Sequence, residues 1–487
     1  MSMIQIEHLT FSYPASFDTI FDDVTIQFDT DWKLGLTGRN GRGKTTLLKL
    51  LQGLYEYRGT ITSSVEFDYF PYPVTEKDRL TIELLQEICP FAGEWEFMRE
   101  LSYLDMDSDA LYRQYHTLSN GEQTKAMLAA LFLKEDHFLL IDEPTNHLDA
   151  NARKLVSAYL NRKKGFLLVS HDRCFLDECV DHIVSINRTN IETQSGNFSS
   201  YMENFQMQQE FELAQNERLK KDIRRLEQSA RRTCVWSDRI EASKIGAADK
   251  GFVGHKAAKM MKRSKSIEAR QKHAMKEKSK LLKNVETAEN LKLTPLSYHA
   301  DTLASFSEVS VLYQNRAVCP PVSFSICQNE RIALNGKNGS GKSSLLKLLM
   351  GETLTHSGTL KIGSGIQISY VPQDASFLQG RLSDFTKQWG IEERLFFAIL
   401  RKLDFERTQF EKDMKEFSEG QKKKVLLAKS LCEPAHLYVW DEPLNFIDVY
   451  SRMQIEQLIL TYSPAMLFVE HDAAFLNLIA TKTIELP

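Results

Sequence analysis

The chain has 487 residues, 42% hydrophobic and 26% charged, and its 61 Lys and Arg against 65 Asp and Glu give a formal net charge of −4. That length is about three times the ~150 residues usual for one domain, so several domains with sizeable cores are expected. The near-balanced charge, taken alone, argues against a nucleic-acid binder; seven scattered cysteines without CxxC exclude a disulfide framework or zinc site, and the lack of a signal-like leader or an apolar run of about 18 residues predicts a cytoplasmic protein with no membrane domain.

In chain order, the apolar strand Lys33-Leu34-Gly35-Leu36-Thr37 runs into Gly38-Arg39-Asn40-Gly41-Arg42-Gly43-Lys44-Thr45, which fits G-x-x-x-x-G-K-[ST]. Such glycines let backbone N–H groups curl around a phosphate chain at a helix N-terminus, here opened by Thr45 and Thr46. The lysine reaches the β/γ oxygens and the Thr hydroxyl reaches Mg²⁺. Leu118-Ser119-Asn120-Gly121-Glu122-Gln123 opens a helix, where Ser119 and Gly121 present donors to an anion. The apolar run Phe138–Ile141 ends in Asp142-Glu143, a carboxylate for the Mg²⁺ sphere followed by a base for the attacking water. Phe166–Val169 ends in Ser170-His171-Asp172. Continuous apolar runs of this kind indicate strands buried on both faces of an α/β layered domain.

Between Arg218 and Lys283 stand 21 Lys and Arg against 7 Asp and Glu, a net of +14 that leaves −18 on the remainder. A helical seam runs from Phe211 through Ala214, Leu219, Ile223, Leu226 and Ala230; after Gly254 a second follows at Met260, Ile267, Ala274 and Leu281. Arms of about 30–35 residues predict an antiparallel two-helix hairpin roughly 45–50 Å long. Its apex holds Lys244, Ile245, Gly246, Ala247, Ala248, Lys250, Phe252, Val253 and His255. A basic rod suits RNA phosphates, read by shape and charge; a solvated coiled-coil spacer is the plainer alternative.

The first pattern then recurs: Arg331–Asn335, Gly336-Lys337-Asn338-Gly339-Ser340-Gly341-Lys342-Ser343-Ser344, Phe417-Ser418-Glu419-Gly420-Gln421, Asp441-Glu442 and Glu470-His471-Asp472. Four landmarks (Lys44/Lys342, Ser119/Ser418, Glu143/Glu442, His171/His471) repeat at displacements of 298 to 300, so the domain is duplicated. An isolated strand-end histidine is commonly structural; its repetition beside an aspartate favours contact with the γ-phosphate.

The order P-loop, LSxGE/Q, apolar-DEP, SHD resembles the ATP-binding cassette (ABC) ATPases. The resemblance implies a head-to-tail sandwich of two P-loop cassettes within a monomer, each ATP lying between one P-loop and the other cassette's signature. Site one would use Lys44, Thr45, Asp142, Glu143 and His171 with Ser418 and Gly420; site two would use Lys342, Ser343, Asp441, Glu442 and His471 with Ser119 and Gly121. Tyr13 and Tyr313 match the family's adenine-stacking aromatic, Asp149 and Asp448 its D-loop, and Gln373 its Mg²⁺-contacting glutamine. Copy one reads Tyr69-Phe70-Pro71-Tyr72 where copy two reads Tyr370-Val371-Pro372-Gln373. Copy two has Leu444 and Glu470 where copy one has Thr145 and Ser170, and Asn120 and Glu419 replace a signature glycine. Unequal sites that both bind ATP are expected, with site one slower.

Two cassettes around a basic hairpin resemble the ABC-F translational ATPases. Gly196-Asn197-Phe198-Ser199-Ser200-Tyr201, the stretch Gly254–Lys265, Arg39-Asn40-Gly41-Arg42-Gly43 and Trp440–Asn445 are similar to the Lsa/Vga-type antibiotic-resistance members. The resemblance implies cassette 1 at 1–200, an antibiotic-resistance linker at 201–300 and cassette 2 at 301–487. It further implies binding at the E site of the bacterial 70S ribosome, with the linker tip reaching large-subunit rRNA and P-site tRNA near the peptidyl-transferase centre. Bound pleuromutilin, lincosamide or streptogramin A drugs would be displaced directly or through tRNA and rRNA, and hydrolysis would drive release. A housekeeping translation factor of the same family and the ATPase subunit of an importer are the alternatives. The matched P-loop-to-signature spacings predict no inserted arm in copy one, and the 16 residues after His471 predict no long C-terminal tail.

Overall fold

The computed structural model describes residues 2–13, 19–146, 148–187, 191–242, 262, 266, 269–270, 291–313, 316–337, 339–405 and 407–486. It divides into two compact units, Met1–Ser199 with Ala288–Pro487, and Ser200–Thr287.

In copy one, β1 (Met3–Ser12), β2 (Thr19–Asp29), β3 (Lys33–Thr37) and α1 (Lys44–Leu51) lead to β4 (Arg58–Thr62), β5 (Glu66–Phe70), α2 (Thr81–Ile88) and α3 (Glu94–Tyr103). Then come α4 (Asn120–Leu131), β6 (His137–Asp142), α5 (Ala150–Asn161), β7 (Phe166–Val169), α6 (Arg173–Cys179), β8 (His182–Ile186) and β9 (Ile191–Ser195). One antiparallel sheet has the order β2-β1-β4; a second, mainly parallel, has β5-β6-β7-β3-β8-β9. The parallel sheet is covered on both faces, so β7 is buried at every residue. Leu34, Leu36, Leu140 and Leu167 join Leu47 and Leu48 of α1 in the core between the sheets. Burying each such side chain contributes about 1.5–3 kcal/mol.

Copy two repeats the plan. It comprises β10 (Thr302–Tyr313), β11 (Arg316–Ala317), β12 (Val322–Cys327), β13 (Arg331–Gly336), α8 (Lys342–Leu349), β14 (His356–Ile362), β15 (Ile368–Val371), α9 (Leu382–Gln388) and α10 (Glu393–Lys402). After these come α11 (Glu419–Cys432), β16 (Leu437–Asp441), α12 (Val449–Tyr462), β17 (Met466–Val469), α13 (Ala473–Ile479) and β18 (Lys482–Leu486). Its parallel sheet, β15-β16-β17-β13-β18, has the strand order of copy one. In both copies the strands ending in Asp-Glu and Val lie side by side, Asp142 against Val169 and Asp441 against Val469. That register brings the carboxylates and the histidine turn to one sheet edge, where ligands of parallel sheets bind.

A long helical region joins the cassettes. Helix α7 (Phe198–Ala242) has 45 residues, about 67 Å at ~1.5 Å per residue. It begins well before the Phe211 seam because the Asp177 carboxylate accepts the Ser199 N–H at 2.6 Å, satisfying a first-turn donor. The apex residues Lys244–His255 and almost all of the second arm lie outside the described residues, as do Asn338 and most of the basic stretch beyond Ala242. Among the described residues no helix is long and apolar enough to cross a membrane.

Candidate nucleotide sites

Both P-loops take one shape. Gly41 and Gly339 share φ 84, and Gly43 and Gly341 sit at φ 92 and 90 immediately before α1 and α8. At Gly43 a side chain is excluded twice, by that left-handed φ and by Ile20 and Phe21, which a Cβ would meet at 2.6 and 2.9 Å. Gly38 and Gly336 both have φ 154. Lys44 Nζ donates to Gly38 O at 2.7 Å and Arg39 O at 3.2 Å; Lys342 Nζ donates to Gly336 O at 2.7 Å and Lys337 O at 2.9 Å. Burial lowers the pKa of both lysines, opposed by Asp448, Glu143 and Asp142 around Lys44 and by Glu442, Asp441 and Asp149 around Lys342.

Those neighbours reveal a crossed arrangement. Asp448 of copy two stands by the P-loop of copy one, and Asp149 of copy one by the P-loop of copy two. A cleft of about 790 Å³ is lined by Ser119, Gly121 and Asp149 of copy one. Facing them from copy two are Gly339, Gly341, Lys342, Ser343, Ser344, Gln373, Glu442 and His471. At site one the copies touch directly. Asn40 Nδ2 donates to Phe446 O at 2.9 Å, and a Cβ on Gly420 would meet that oxygen at 2.5 Å and Asn40 at 3.3 Å. Ser119 and Ser418 are N-caps of α4 and α11, each closing a capping box, with Glu122 and Gln421 respectively.

The hydroxyl after each P-loop lysine meets its strand-end aspartate. Thr45 Oγ1 donates to Asp142 Oδ2 at 3.2 Å, and the Ser343 hydroxyl bonds Asp441. Burial raises the pKa of both aspartates, Asp441 to about 6, and Asp441 Oδ1 is buried without a hydrogen-bond partner among the described residues. An unpaired carboxylate oxygen beside a hydroxyl fits Mg²⁺, a hard cation usually held by one or two protein oxygens and the nucleotide phosphates. Thr45, Asp142, Ser343, Asp441 and Gln373 are the residues that would hold it, and bound Mg²⁺ neutralises developing phosphate charge.

Glu143 and Glu442 both adopt left-handed backbone angles, φ 49 and 46, rare for a side-chain-bearing residue and costing about 1–3 kcal/mol each. Their N–H groups are held by Val169 O and Val469 O at 2.9 and 3.0 Å. The histidines follow, His171 Nε2 3.3 Å from Glu143 Oε1 and His471 Nε2 3.5 Å from Glu442 Oε1. Beyond this the sites diverge. Glu442 Oε2 accepts from Gln373 Nε2 at 2.9 Å and Asn445 Nδ2 at 2.6 Å. Although burial works to raise its pKa, His471 and Gln373 bring it below the usual glutamate range. Among the described residues no amide side chain reaches Glu143, and burial together with Asp142 pushes it up to about 8. Tyr72, in the place of Gln373, is anchored through its N–H to Met127 Sδ at 3.0 Å. Tyr69 instead donates its phenol to Asp142 Oδ2 at 3.0 Å.

The two tyrosines ahead of the P-loops also differ. Tyr13 packs edge-on against Phe11 and Tyr55, with centroids 5.1 and 5.7 Å away, and its hydroxyl lies 2.9 Å from Thr46 Oγ1. Tyr313 is 43% exposed, with Ser344 Oγ 3.5 Å from its hydroxyl. Tyr69, Asn445 and the arginines between the copies were not singled out from the sequence. Arg153 Nη1 bonds Asp172 Oδ2 at 2.9 Å and His471 O at 3.0 Å, Arg452 Nη1 bonds Asp472 Oδ2 at 2.8 Å, and Arg173 clasps Glu456 of the other copy.

The family profile described as ABC transporter matches residues 21–146 and 319–445. The chain belongs to the ABC transporter family. Two such cassettes make it an ATP-binding, ATP-hydrolysing enzyme, and their tandem arrangement is of the ABC-F type. The ribosome protection protein VmlR of Bacillus subtilis is 29% identical over 96% of this chain and 84% of its own length. The ATP-binding protein Uup of Caulobacter vibrioides is 27% identical over 96% and 74%. Among solved structures, an archaeal ribosome recycling factor, aABCE1, crystallised with the stalk protein aP1, superposes with a TM-score of 0.62 at 19% identity, covering 98% of this chain and 87% of that one. This second likeness concerns the ABC fold alone.

Proposed function

We propose that this ABC ATPase acts on the bacterial 70S ribosome, binding at the E site with ATP and directing its linker tip towards the peptidyl-transferase centre to displace bound drugs. The observation that carries the reading is the net +14 between Arg218 and Lys283, set between two cassettes of an otherwise acidic chain. A positive segment of that size is drawn to nucleic-acid phosphates, and the relative VmlR is named as a ribosome protection protein. The pleuromutilin, lincosamide and streptogramin A classes follow from the Lsa/Vga-like sequence features. ATP acts by favouring the closed cassette pair and can shift binding only by that preference. Glu143 and Glu442 serve as the hydrolytic bases, so the Glu143→Gln/Glu442→Gln protein traps the closed state.

The test is sedimentation of ribosomes from cells expressing that double variant. ATP-dependent co-sedimentation is expected, and its absence would overturn the reading. A drug panel on wild-type expression then divides protection from housekeeping: unchanged susceptibility to all three classes would favour the translation-factor alternative.

A further inference from the structure

Behind Glu442 lie two buried charges that are not among the residues lining the cleft, Lys423 and Glu470, each about 3% exposed. Lys423 Nζ donates to Pro372 O at 2.9 Å and Asp441 O at 3.5 Å. Glu470 Oε1 accepts the Leu444 N–H at 2.7 Å, and its Oε2 accepts the His471 N–H at 3.1 Å. The gripped peptide groups lie at or immediately before Gln373, Glu442, Asn445 and His471. These are Glu442 and the side chains around it. Glu470 is the largest of the charges favouring the Lys423 ammonium against its burial, while Glu470 itself is held ionised chiefly by Arg452.

Copy one has neither. By the repeat, Thr124 stands for Lys423 and Ser170 for Glu470. There Ser170 Oγ lies 3.3 Å from Thr145 Oγ1 and accepts the Asp172 N–H at 3.2 Å, so a short hydroxyl pair replaces the long ionic brace. Leu444, the counterpart of Thr145, has no side-chain polar group, and only its N–H reaches the carboxylate. Three differences between the copies therefore form one unit.

We propose that Lys423 and Glu470 are a paired positioning device of site two, bracing the three loops that carry and aim Glu442, and that its absence from copy one is a principal source of the inequality between the sites. The proposal rests on the reading of Glu143 and Glu442 as bases. Neither member lines the cleft, so the brace governs turnover more than affinity. Removing Glu470 alone leaves Lys423 buried without its largest counter-charge, a cost that removing both avoids, while Arg452 keeps Asp472.

The test separates the sites by background: Glu143→Gln reports site two and Glu442→Gln reports site one. In the first background Lys423→Thr, Glu470→Ser and their combination should each lower kcat roughly 10- to 100-fold, the usual effect of losing a group that orients a reactive one. The KM for ATP should move far less than kcat. The combined variant should recover part of the thermal midpoint lost in Glu470→Ser but none of the lost kcat, which separates positioning from folding. Wild-type kcat in the combined variant, or equal losses in both backgrounds, would overturn the proposal. ATP hydrolysis persisting in Glu143→Gln/Glu442→Gln would instead overturn the assignment of the bases.

Discussion

Gly420 shows how a single hydrogen atom separates the two sites. Its backbone lies against Phe446 O, which a Cβ would approach to 2.5 Å, whereas a Cβ on Gly121 would meet only Leu148 Cδ2 at an ordinary 3.5 Å. A carbonyl oxygen cannot swing aside as a side-chain tip can. Gly420→Ala should therefore destabilise the nucleotide-free protein by about 1–3 kcal/mol, the usual cost of overpacking, whereas Gly121→Ala should cost little before ATP closes site two. Unfolding stability measured without nucleotide checks this; equal effects of the two alanines would contradict it. At this scale the motif residues were readable because each motif is short and contiguous. Partnerships such as Asn40 with Phe446 were not, since 406 positions separate the two and no local period records the contact. Lys423 and Glu470 were half-legible. The exchange of Ser170 for Glu470 stands out when the copies are aligned, but its meaning depends on which N–H groups the carboxylate meets.

At the scale of elements, helix α3 is tied to the end of α5 by one buried carboxylate. Glu100 Oε2 accepts from Tyr159 OH at 2.7 Å and Lys163 Nζ at 2.5 Å, while Oε1 meets Arg99 at 3.2 Å. Burial works to raise the Glu100 pKa, but Lys163 and Tyr159 outweigh it and leave it depressed. A depressed carboxylate stabilises the fold above its unfolded pKa of about 4.3, and that contribution is lost as pH falls through the lower folded value. Glu100→Gln should cost about 1.5–3 kcal/mol at neutral pH, as expected for hydrogen bonds to a charged group. Denaturation curves of variant and parent should converge as the pH falls below about 4; a constant gap would show that packing, not charge, holds the helices. Strands such as β6 and β7 were legible because burial on both faces leaves an unbroken apolar run. The start of α7 was not, because the Asp177 contact that draws the helix back to Phe198 comes from an earlier helix rather than from the heptad seam.

At the scale of the whole molecule, the duplicated chain holds its copies together unequally. Arg173 clasps Glu456 across the copies, yet their counterparts by the repeat are Ala473 and Ser157, so this tie exists once. A second tie has counterparts of the same charges in the other copy. Arg39 of the first P-loop lies 3.6 Å from Asp404 of copy two, with 17% and 27% of the side chains exposed. The repeat equates Arg39 with Lys337 and Asp404 with Asp105, and both of the latter line the site-two cleft. Neither is ion-paired among the described residues. If site two closes as site one does, ATP must bring Lys337 and Asp105 together.

A double-mutant cycle can measure that pairing, since it isolates the mutual term from what each alanine does alone. In the Glu143→Gln/Glu442→Gln protein, Lys337→Ala and Asp105→Ala should be non-additive in ATP affinity, with a coupling of about 0.2–1 kcal/mol for a partly exposed pair. The same cycle on unfolding stability without nucleotide should be additive. For Arg39 and Asp404 the coupling should already appear in nucleotide-free stability, and added salt should weaken it. Additivity of Lys337 and Asp105 in ATP affinity would mean that site two closes along a different path. The inequality of the sites would then extend from their chemistry to their motion.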